Sequence, residues 1–324
     1  MPASLLKSVA HYLDGQDQVN KTIWPTLFAL RRLRIAVRGA VDRGNAETHS
    51  VAGAIAEGAD VPFNLDVVKF EKSFSLDDQE LLIGQMALMT LTSYFEGACE
   101  TAAADLGWAS HKFLMFPPTA TSWRTGQRLR GHWSEMRAGG SALIETCYGP
   151  RSRARTHYAE SRLPAVLQGF RYWKEVRNAL VHAGGRANDA LVDAQRAYAP
   201  VTNTDLGLRA KVMLTRDGGL EPNPGSAKLL TVGDRFAVSP YAAFNAADIM
   251  NKAMITYDFL LCRTSSGERL LLDRLLSEAH PKRWGDPDYR QPSLVRSLSN
   301  RAKAPIPDRP DLMLRALERR RASR

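Results

Sequence analysis

Residues 75–107 read SLDDQELLIGQMALMTLTSYFEGACETAAADLG, which is the strongest helix signal in the chain. Ser75 suits an N-cap because its hydroxyl can accept a hydrogen bond from a free backbone N–H of the first turn. Nearly every position from 81 to 89 is apolar. A helix that is apolar nearly all round is typical of the interior of a bundle. We therefore predict a central helix over 76–106 that ends at Gly107.

A second helix is predicted over 162–183, because apolar residues recur there at helical spacing and Gly184-Gly185 supplies a C-terminal stop. On a helical wheel, one broad arc that we expect to face the core holds Val166, Phe170, Trp173, Val176, Leu180 and Val181. The opposite side carries a polar stripe of Arg171, Lys174, Asn178 and His182. Arg177 belongs to neither set, because it projects from the middle of the apolar arc.

The remaining patterns complete a mainly α-helical fold with a small antiparallel β insertion. Helices are predicted at 3–13, 25–42 and 241–279, with Pro25 in the first turn of its helix. Alternation and Gly-containing turns within 206–239 predict strands at 208–214, 229–232 and 235–238. The chain thus divides into an N-terminal helical extension (1–60), a helical domain with the β insertion (61–280) and a C-terminal tail (281–324).

The C-terminal tail is basic and rich in Pro, Ser, Asp and Arg, so we predict that it is mostly disordered, with residues 312–321 able to form a short basic helix on a partner. It holds 12 Lys and Arg against 5 Asp and Glu, in a chain of net charge +10. Residues 124–162 hold 8 Arg against 3 Glu. Such patches favour nucleic acid as a partner, although charge alone is also compatible with a solubilising surface.

Several classes of protein are disfavoured by the sequence. The three cysteines form no CxxC pair, and the histidines show no HxH or HxxxH spacing, so we expect no metal site and no cofactor. There is no Walker loop and no GxSxG motif. The N-terminus lacks a long apolar signal region, and no run of 18 apolar residues occurs. We expect no membrane span and a cytoplasmic location.

The candidate site is the segment Arg177-Asn178-Ala179-Leu180-Val181-His182. A guanidinium on an apolar arc needs an anion or several acceptors, and Glu96, which lies in apolar surroundings on the central helix, is our first candidate for that partner. Glu96 could instead face solvent or pair with a different cation. Arginine can clamp a phosphate, asparagine can orient it, and histidine exchanges protons near neutral pH. These groups suit attack of an RNA 2′-hydroxyl on its adjacent phosphate, which requires no metal.

Arg177-Asn178 followed by His182 and the Gly184-Gly185 stop resembles the Arg-polar-x-x-x-His motif of the HEPN superfamily, and the resemblance covers roughly residues 75–265. HEPN domains are α-helical, and many are ribonucleases in toxin–antitoxin, abortive-infection and CRISPR-associated defence. The resemblance implies a metal-independent endoribonuclease in which Arg177, Asn178 and His182 are catalytic, supported by Glu96, Lys174 and Arg171. It also implies a homodimer whose two copies of the motif form one site, with RNA as substrate and an antitoxin or defence protein as a possible partner.

Two other functions stay open. The superfamily includes members that bind nucleotides or nucleic acid without cleaving it, so the chain could be an RNA- or protein-binding module in which Arg177 is structural and the basic tail binds. A structural helical protein with a buried Arg–Glu pair and a surface histidine is the third possibility.

Overall fold

The computed structural model of the 324-residue chain describes residues 4–42, 75–116, 136, 138–216, 220–221, 229–278 and 291–323. These residues form eleven α-helices, one short 3₁₀ turn and one pair of two-residue strands, which confirms the mainly α-helical fold. The first helices are α1 (Lys7–Asp42), α2 (Leu76–Asp105), α3 (Lys112–Met115) and α4 (Ala142–Arg153). They are followed by α5 (Leu163–His182), α6 (Asp189–Tyr198) and α7 (Asn203–Leu206), then β1 (Met213–Leu214), β2 (Leu220–Glu221), α8 (Pro240–Cys262), α9 (Ser265–Ser277), α10 (Gln291–Arg301) and α11 (Pro310–Ala322).

The predicted helix at 76–106 is confirmed as α2, including its cap. The Ser75 hydroxyl accepts from the Asp78 N–H at 3.0 Å, and the Asp78 carboxylate accepts in return from the Ser75 N–H at 3.3 Å. Helix α2 packs against α1, α5 and α8, and Leu88, Leu91 and Phe95 are fully buried. Its first half differs from the prediction, because Leu82 and Met86 are exposed.

Helix α1 is a single helix and not the two shorter ones that the sequence predicts. Pro25 lies inside it, although proline lacks the N–H of a regular helical hydrogen bond. Val19, Ile23 and Leu27 are buried at a spacing of four residues, so continuous packing against α2 outweighs the local helix-breaking signal. Because α1 belongs to the same hydrophobic core as α2, it forms part of the bundle rather than an extension beside it.

The predicted long helix at 241–279 is divided into α8 and α9. Thr264 ends the first and caps the second: its hydroxyl donates to the Leu261 carbonyl at 2.7 Å and accepts from the Gly267 N–H at 3.1 Å. Nearly all of α8 is buried, and it packs against α1, α2, α4, α5 and α9. The central element of the bundle is therefore α8 together with α2.

The β insertion is smaller than the sequence predicts. Met213 pairs with Glu221 and Leu214 with Leu220 in antiparallel register, but 229–232 and 235–238 are not strands. The carboxylate of Asp234 accepts from both the N–H and the hydroxyl of Thr231, which folds this segment into a turn. A side chain that bonds to the backbone three residues away competes with strand pairing.

The prediction of a mostly disordered C-terminal tail is wrong for residues 291–323, and the helix expected at 312–321 is present as α11 but packs on the bundle itself; residues 281–290 and 324 lie outside the described part. Helix α11 packs against α4, α9 and α10, where it buries Met313, Leu314 and Leu317. The Arg320 guanidinium also makes two hydrogen bonds of 2.9 Å to the Asp273 carboxylate. The composition of the tail, averaged over its length, suggests disorder. In α11, however, the apolar residues lie on one face of the helix and the arginines between them lie on the other, so the helix is amphipathic.

No helix in the described part of the chain is both long enough and apolar enough to cross a membrane.

Candidate functional site

Helix α5 carries the candidate site and has nearly the predicted bounds, Leu163–His182. Its core-facing side chains are buried as expected at Val166, Phe170, Trp173 and Val176. Val181 is an exception, since 47% of it is exposed beside His182. The prediction that Val181 faces the core is therefore wrong, because this residue lies in the last turn of α5, where a side chain contacts little of the bundle.

The end of α5 is held by backbone geometry. Gly184 and Gly185 adopt positive φ angles of 58° and 74°, a region that favours glycine, and they turn the chain away from the helix axis. The turn then pairs with the loop at 233–236. The Gly233 N–H donates to the Ala187 carbonyl at 2.8 Å, and the Phe236 N–H donates to the Gly185 carbonyl at 3.1 Å. This pairing fixes where His182 projects from the bundle.

Arg177 is half-buried and lies beside Asn178. Its Nη1 donates to Oδ1 of Asn178 at 3.2 Å, whereas its Nε is buried with no hydrogen-bond partner among the described residues. The guanidinium therefore has part of its donor capacity unused. The expected pair with Glu96 does not form.

Glu96 pairs with Lys174 instead. The ammonium of Lys174 lies 2.8 Å from Oε1 of Glu96, and it also sits 5.3 Å from the centre of the Phe116 ring. The general expectation that Glu96 meets a cation on a neighbouring helix is confirmed, but the cation comes from the polar stripe and not from Arg177. A helical wheel shows which residues of one helix share a face, but it does not show which side chains of two helices meet.

Glu175 joins the site although the sequence analysis did not single it out. Its Oε2 accepts a hydrogen bond of 3.2 Å from Nδ2 of Asn178, so Asn178 bridges Glu175 and Arg177. The three-residue spacing between Glu175 and Asn178 is the signal that could have identified it, because such residues are neighbours on a helix surface.

His182 is exposed, and among the described residues no hydrogen bond or ion pair engages its imidazole. Arg171 is half-buried on the same polar stripe. The structure brings Arg177, Asn178 and Glu175 into one hydrogen-bonded group but does not join His182 to it. Five residues separate Arg177 from His182, which places them about 140° apart around the helix.

The arrangement offers cations and a proton-exchanging group on one end of one helix. Arg177 supplies positive charge, Asn178 supplies an amide and His182 supplies an accessible imidazole, whereas the charge of Lys174 is paired with Glu96. A guanidinium and an amide can bind a phosphodiester, and an imidazole can move a proton on it where the two reach the same phosphate. In the described ranges, no group of three or more His, Cys, Asp or Glu side chains is placed to hold a metal ion.

Comparison with known proteins found no matching family model, no matching curated protein and no matching solved structure.

Proposed function

We propose that this protein is a metal-independent endoribonuclease of the HEPN type that acts as a homodimer. The observation that supports it best is the end of α5, where Arg177 and Asn178 are hydrogen-bonded to each other, one Arg177 donor is unused, and an exposed His182 follows in the last turn. These are the residue types that the HEPN motif requires, in the same order and at the end of a helix that a glycine pair terminates.

In the proposed reaction the 2′-hydroxyl oxygen of one nucleotide attacks the adjacent phosphorus, and the bond from phosphorus to the 5′-oxygen breaks. His182 takes the proton from the 2′-hydroxyl or gives one to the departing 5′-oxygen. Arg177 holds the phosphate and stabilises the charge that grows on its oxygens. Asn178 orients the guanidinium and Arg171 adds positive charge along the path of the backbone, while the pair of Lys174 with Glu96 supports the helix that carries them.

A second copy of the chain would complete this site. Arg177 and His182 project in different directions from α5, so a single copy is poorly arranged for both to contact one phosphate. Two-fold packing of α5 against its copy would place the His182 of each subunit near the Arg177 of the other. The exposed Val181 provides an apolar contact at the same helix end.

RNA is the proposed substrate because the mechanism uses a 2′-hydroxyl and because the chain carries a net charge of +10. A role in phage defence or in a toxin–antitoxin pair, with an antitoxin or defence protein as partner, follows from the resemblance to HEPN proteins. Expression of an active toxin would slow growth of the host cell, and His182→Ala would relieve that effect.

The decisive experiment is RNA cleavage by purified protein in the presence of EDTA. We expect wild type to cut RNA and to leave 2′,3′-cyclic phosphate ends, and we expect His182→Ala and Arg177→Ala to be inactive. His11→Ala is the matched control, because His11 is another exposed histidine on a helix of the same bundle. Intact RNA with wild type, or equal cleavage by His182→Ala and His11→Ala, would overturn the proposal.

A non-catalytic RNA-binding module is the second candidate, and one observation favours it. The guanidinium of Arg177 is engaged by Asn178, which is itself engaged by Glu175, so this group has the character of a structural network. Exposed arginines on α11, among them Arg315 and Arg319, would then bind the RNA. This function is supported if RNA binds without being cut, and if Arg315→Gln/Arg319→Gln weakens binding while His182→Ala does not.

A further inference from the structure

A cavity of about 440 Å³ lies between α1, α8 and two loops, at 156–157 and 207–210. Its volume is in the range of small-molecule sites, and its wall combines aromatic residues with polar and charged ones. Tyr241 is exposed at the wall, and Phe244 stacks on Trp24 of α1 with ring centres 4.5 Å apart. Aromatic packing between α1 and α8 therefore supports one side of the cavity.

Three buried polar atoms of this wall lack a hydrogen-bond partner within the described part of the chain: Oδ1 of Asn20, Oδ1 of Asn245 and Nδ1 of His157. The Nδ2 group of Asn245 donates to the Ala210 carbonyl at 2.8 Å, so its oxygen is the end that is left unpaired. Burial of a polar atom without a partner carries a desolvation cost, and such atoms are rare in folded proteins. Because the three lie around one cavity, a single polar occupant could donate hydrogen bonds to the two amide oxygens and contact the imidazole.

The same wall contains a buried cation. Lys252 is only 5% exposed, and no hydrogen bond or ion pair engages its ammonium among the residues that the structure describes. Burial lowers the pKa of Lys252 and that of His157, and in both cases Asp248 partly opposes this shift. Asp248 is a nearby carboxylate but forms no ion pair with Lys252, so an anionic ligand in the cavity would stabilise the charged ammonium.

The charges on the cavity wall favour an anionic ligand. Lys252 and Arg209 bring two positive charges to the wall, and Asp248 is the one carboxylate among the residues that line it. Arg209 and Asp248 are both exposed, so Lys252 is the charged group that lies deepest in the wall. Unpaired amide oxygens call for hydroxyl donors on the ligand, and Lys252 calls for an anionic group. A phosphate monoester on a hydroxyl-bearing carrier meets both requirements.

We propose that this cavity binds a phosphate monoester carried on a hydroxylated group, as in a sugar phosphate or a nucleoside monophosphate. The phosphate contacts Lys252 and His157, and hydroxyl groups of the ligand donate to Asn20 and Asn245. All of these contacts are non-covalent, and no reaction is proposed at this site.

This site is separate from the proposed ribonuclease site. The wall at Gly207 adjoins Arg162, because a Cβ on Gly207 would lie 2.5 Å from Nη1 of Arg162, the residue that precedes α5. Arg177 is 15 residues further along, which is about 22 Å along the helix axis. The binding proposal therefore stands or falls independently of RNA cleavage.

Isothermal titration calorimetry on the full chain tests the proposal with four probes: ribose 5-phosphate, adenosine monophosphate, inorganic phosphate and ribose. We expect one or both phosphate esters to bind at least about tenfold more tightly than inorganic phosphate or ribose, because each of those carries only half of the recognised groups. The ratio between the two esters shows whether the carrier is a sugar or a nucleoside. Failure of both esters to bind, or binding no tighter than that of inorganic phosphate, overturns the proposal.

Two variants test whether the phosphate ester binds in this cavity. Lys252→Met keeps the length of the side chain and removes its charge, and we expect it to weaken ester binding by about tenfold to hundredfold. His157→Gln provides a second test should Lys252→Met fail to fold, as judged by its thermal unfolding. Lys21→Met is the matched control, because Lys21 is an exposed lysine on α1 outside the cavity. If a folded Lys252→Met or His157→Gln variant binds the ester as tightly as wild type does, the ligand lies elsewhere and the proposal is overturned.

Discussion

The ammonium of Lys174 lies 2.8 Å from the carboxylate of Glu96 and joins α5 to α2 beside the candidate site. Both side chains are largely but not fully buried, with exposed fractions of 18% and 27%. Water and salt screen a pair in such a position less than a pair on the surface. The pair therefore stabilises the contact between the two helices and helps to fix the rotation of α5 about its axis.

Removal of either partner of this pair is expected to destabilise the bundle. Glu96→Gln and Lys174→Met should each lower the free energy of unfolding by about 1 kcal/mol, since the partner keeps its charge in a partly desolvated position. The double variant should lose less than the sum of the two single losses. A double-mutant cycle by urea unfolding measures this coupling, with Glu100→Gln on the exposed side of α2 as control. Strictly additive losses would mean that the ion pair contributes nothing.

Arg177→Lys tests whether the shape of the guanidinium matters in addition to its charge. Lysine keeps the positive charge but cannot reproduce the fork that bonds to Asn178 and to a phosphate at once. If the proposed ribonuclease reaction takes place, kcat/KM for RNA should fall about a hundredfold, while RNA affinity at low salt changes by less than about threefold. Comparable losses of affinity and rate would instead assign Arg177 to binding alone.

The buried Lys211 caps the end of α6. Its ammonium donates to the carbonyl oxygens of Tyr198, Ala199 and Val201, and the side chain is fully buried. Lys211→Met leaves these acceptors without a donor and should cost about 2–4 kcal/mol in the free energy of unfolding. Arg196→Met, on the exposed side of the same helix, should cost about 0.5 kcal/mol or less. Chemical denaturation of the two variants provides the comparison.

Lys211 should also give stability a characteristic pH dependence. Burial lowers its pKa to about 8 from the ordinary 10.5. Between these values the unfolded chain binds a proton that the folded chain does not, so the free energy of unfolding rises with pH. The difference between wild type and Lys211→Met should therefore grow from about pH 7.5 to about pH 9.5. A difference that is constant over this range would show that Lys211 keeps its ordinary pKa in the folded state.

The C-terminal helix should respond differently to truncation and to charge removal. Deletion of residues 310–324 exposes the surface that Met313, Leu314 and Leu317 cover, so we expect a marked drop in Tm. Arg315→Gln/Arg319→Gln leaves that surface intact, and its Tm should stay close to that of wild type. Loss of RNA affinity in the truncated chain alone would therefore reflect unfolding, whereas loss in the double variant at unchanged Tm would show direct contact. A truncated chain with the Tm of wild type would contradict the packing of α11.

Local signals in the sequence predicted the parts of the fold that depend on neighbours a few residues away. The Ser75 cap, the Gly184-Gly185 stop and the buried face of α5 are confirmed, because each depends on contacts within one helix or one turn. Pro25 shows the limit of such signals, since a local breaker is overruled by packing against α2. The hydroxyl of Thr264, which divides one predicted helix into two, acts over only three residues and would have been recognisable as an N-cap.

The amino-acid sequence alone determined that this chain forms helices and where several of them end, because these properties follow from periodicity and caps along one segment. It also placed Arg177, Asn178 and His182 in the last turns of α5. Tertiary packing decided that Lys174 and not Arg177 pairs with Glu96, that α11 joins the bundle, and that Asn20, His157 and Lys252 surround one cavity. Such contacts join residues that are far apart in the chain, and they depend on the rotation and offset of one helix against another, which the pattern within each helix does not specify.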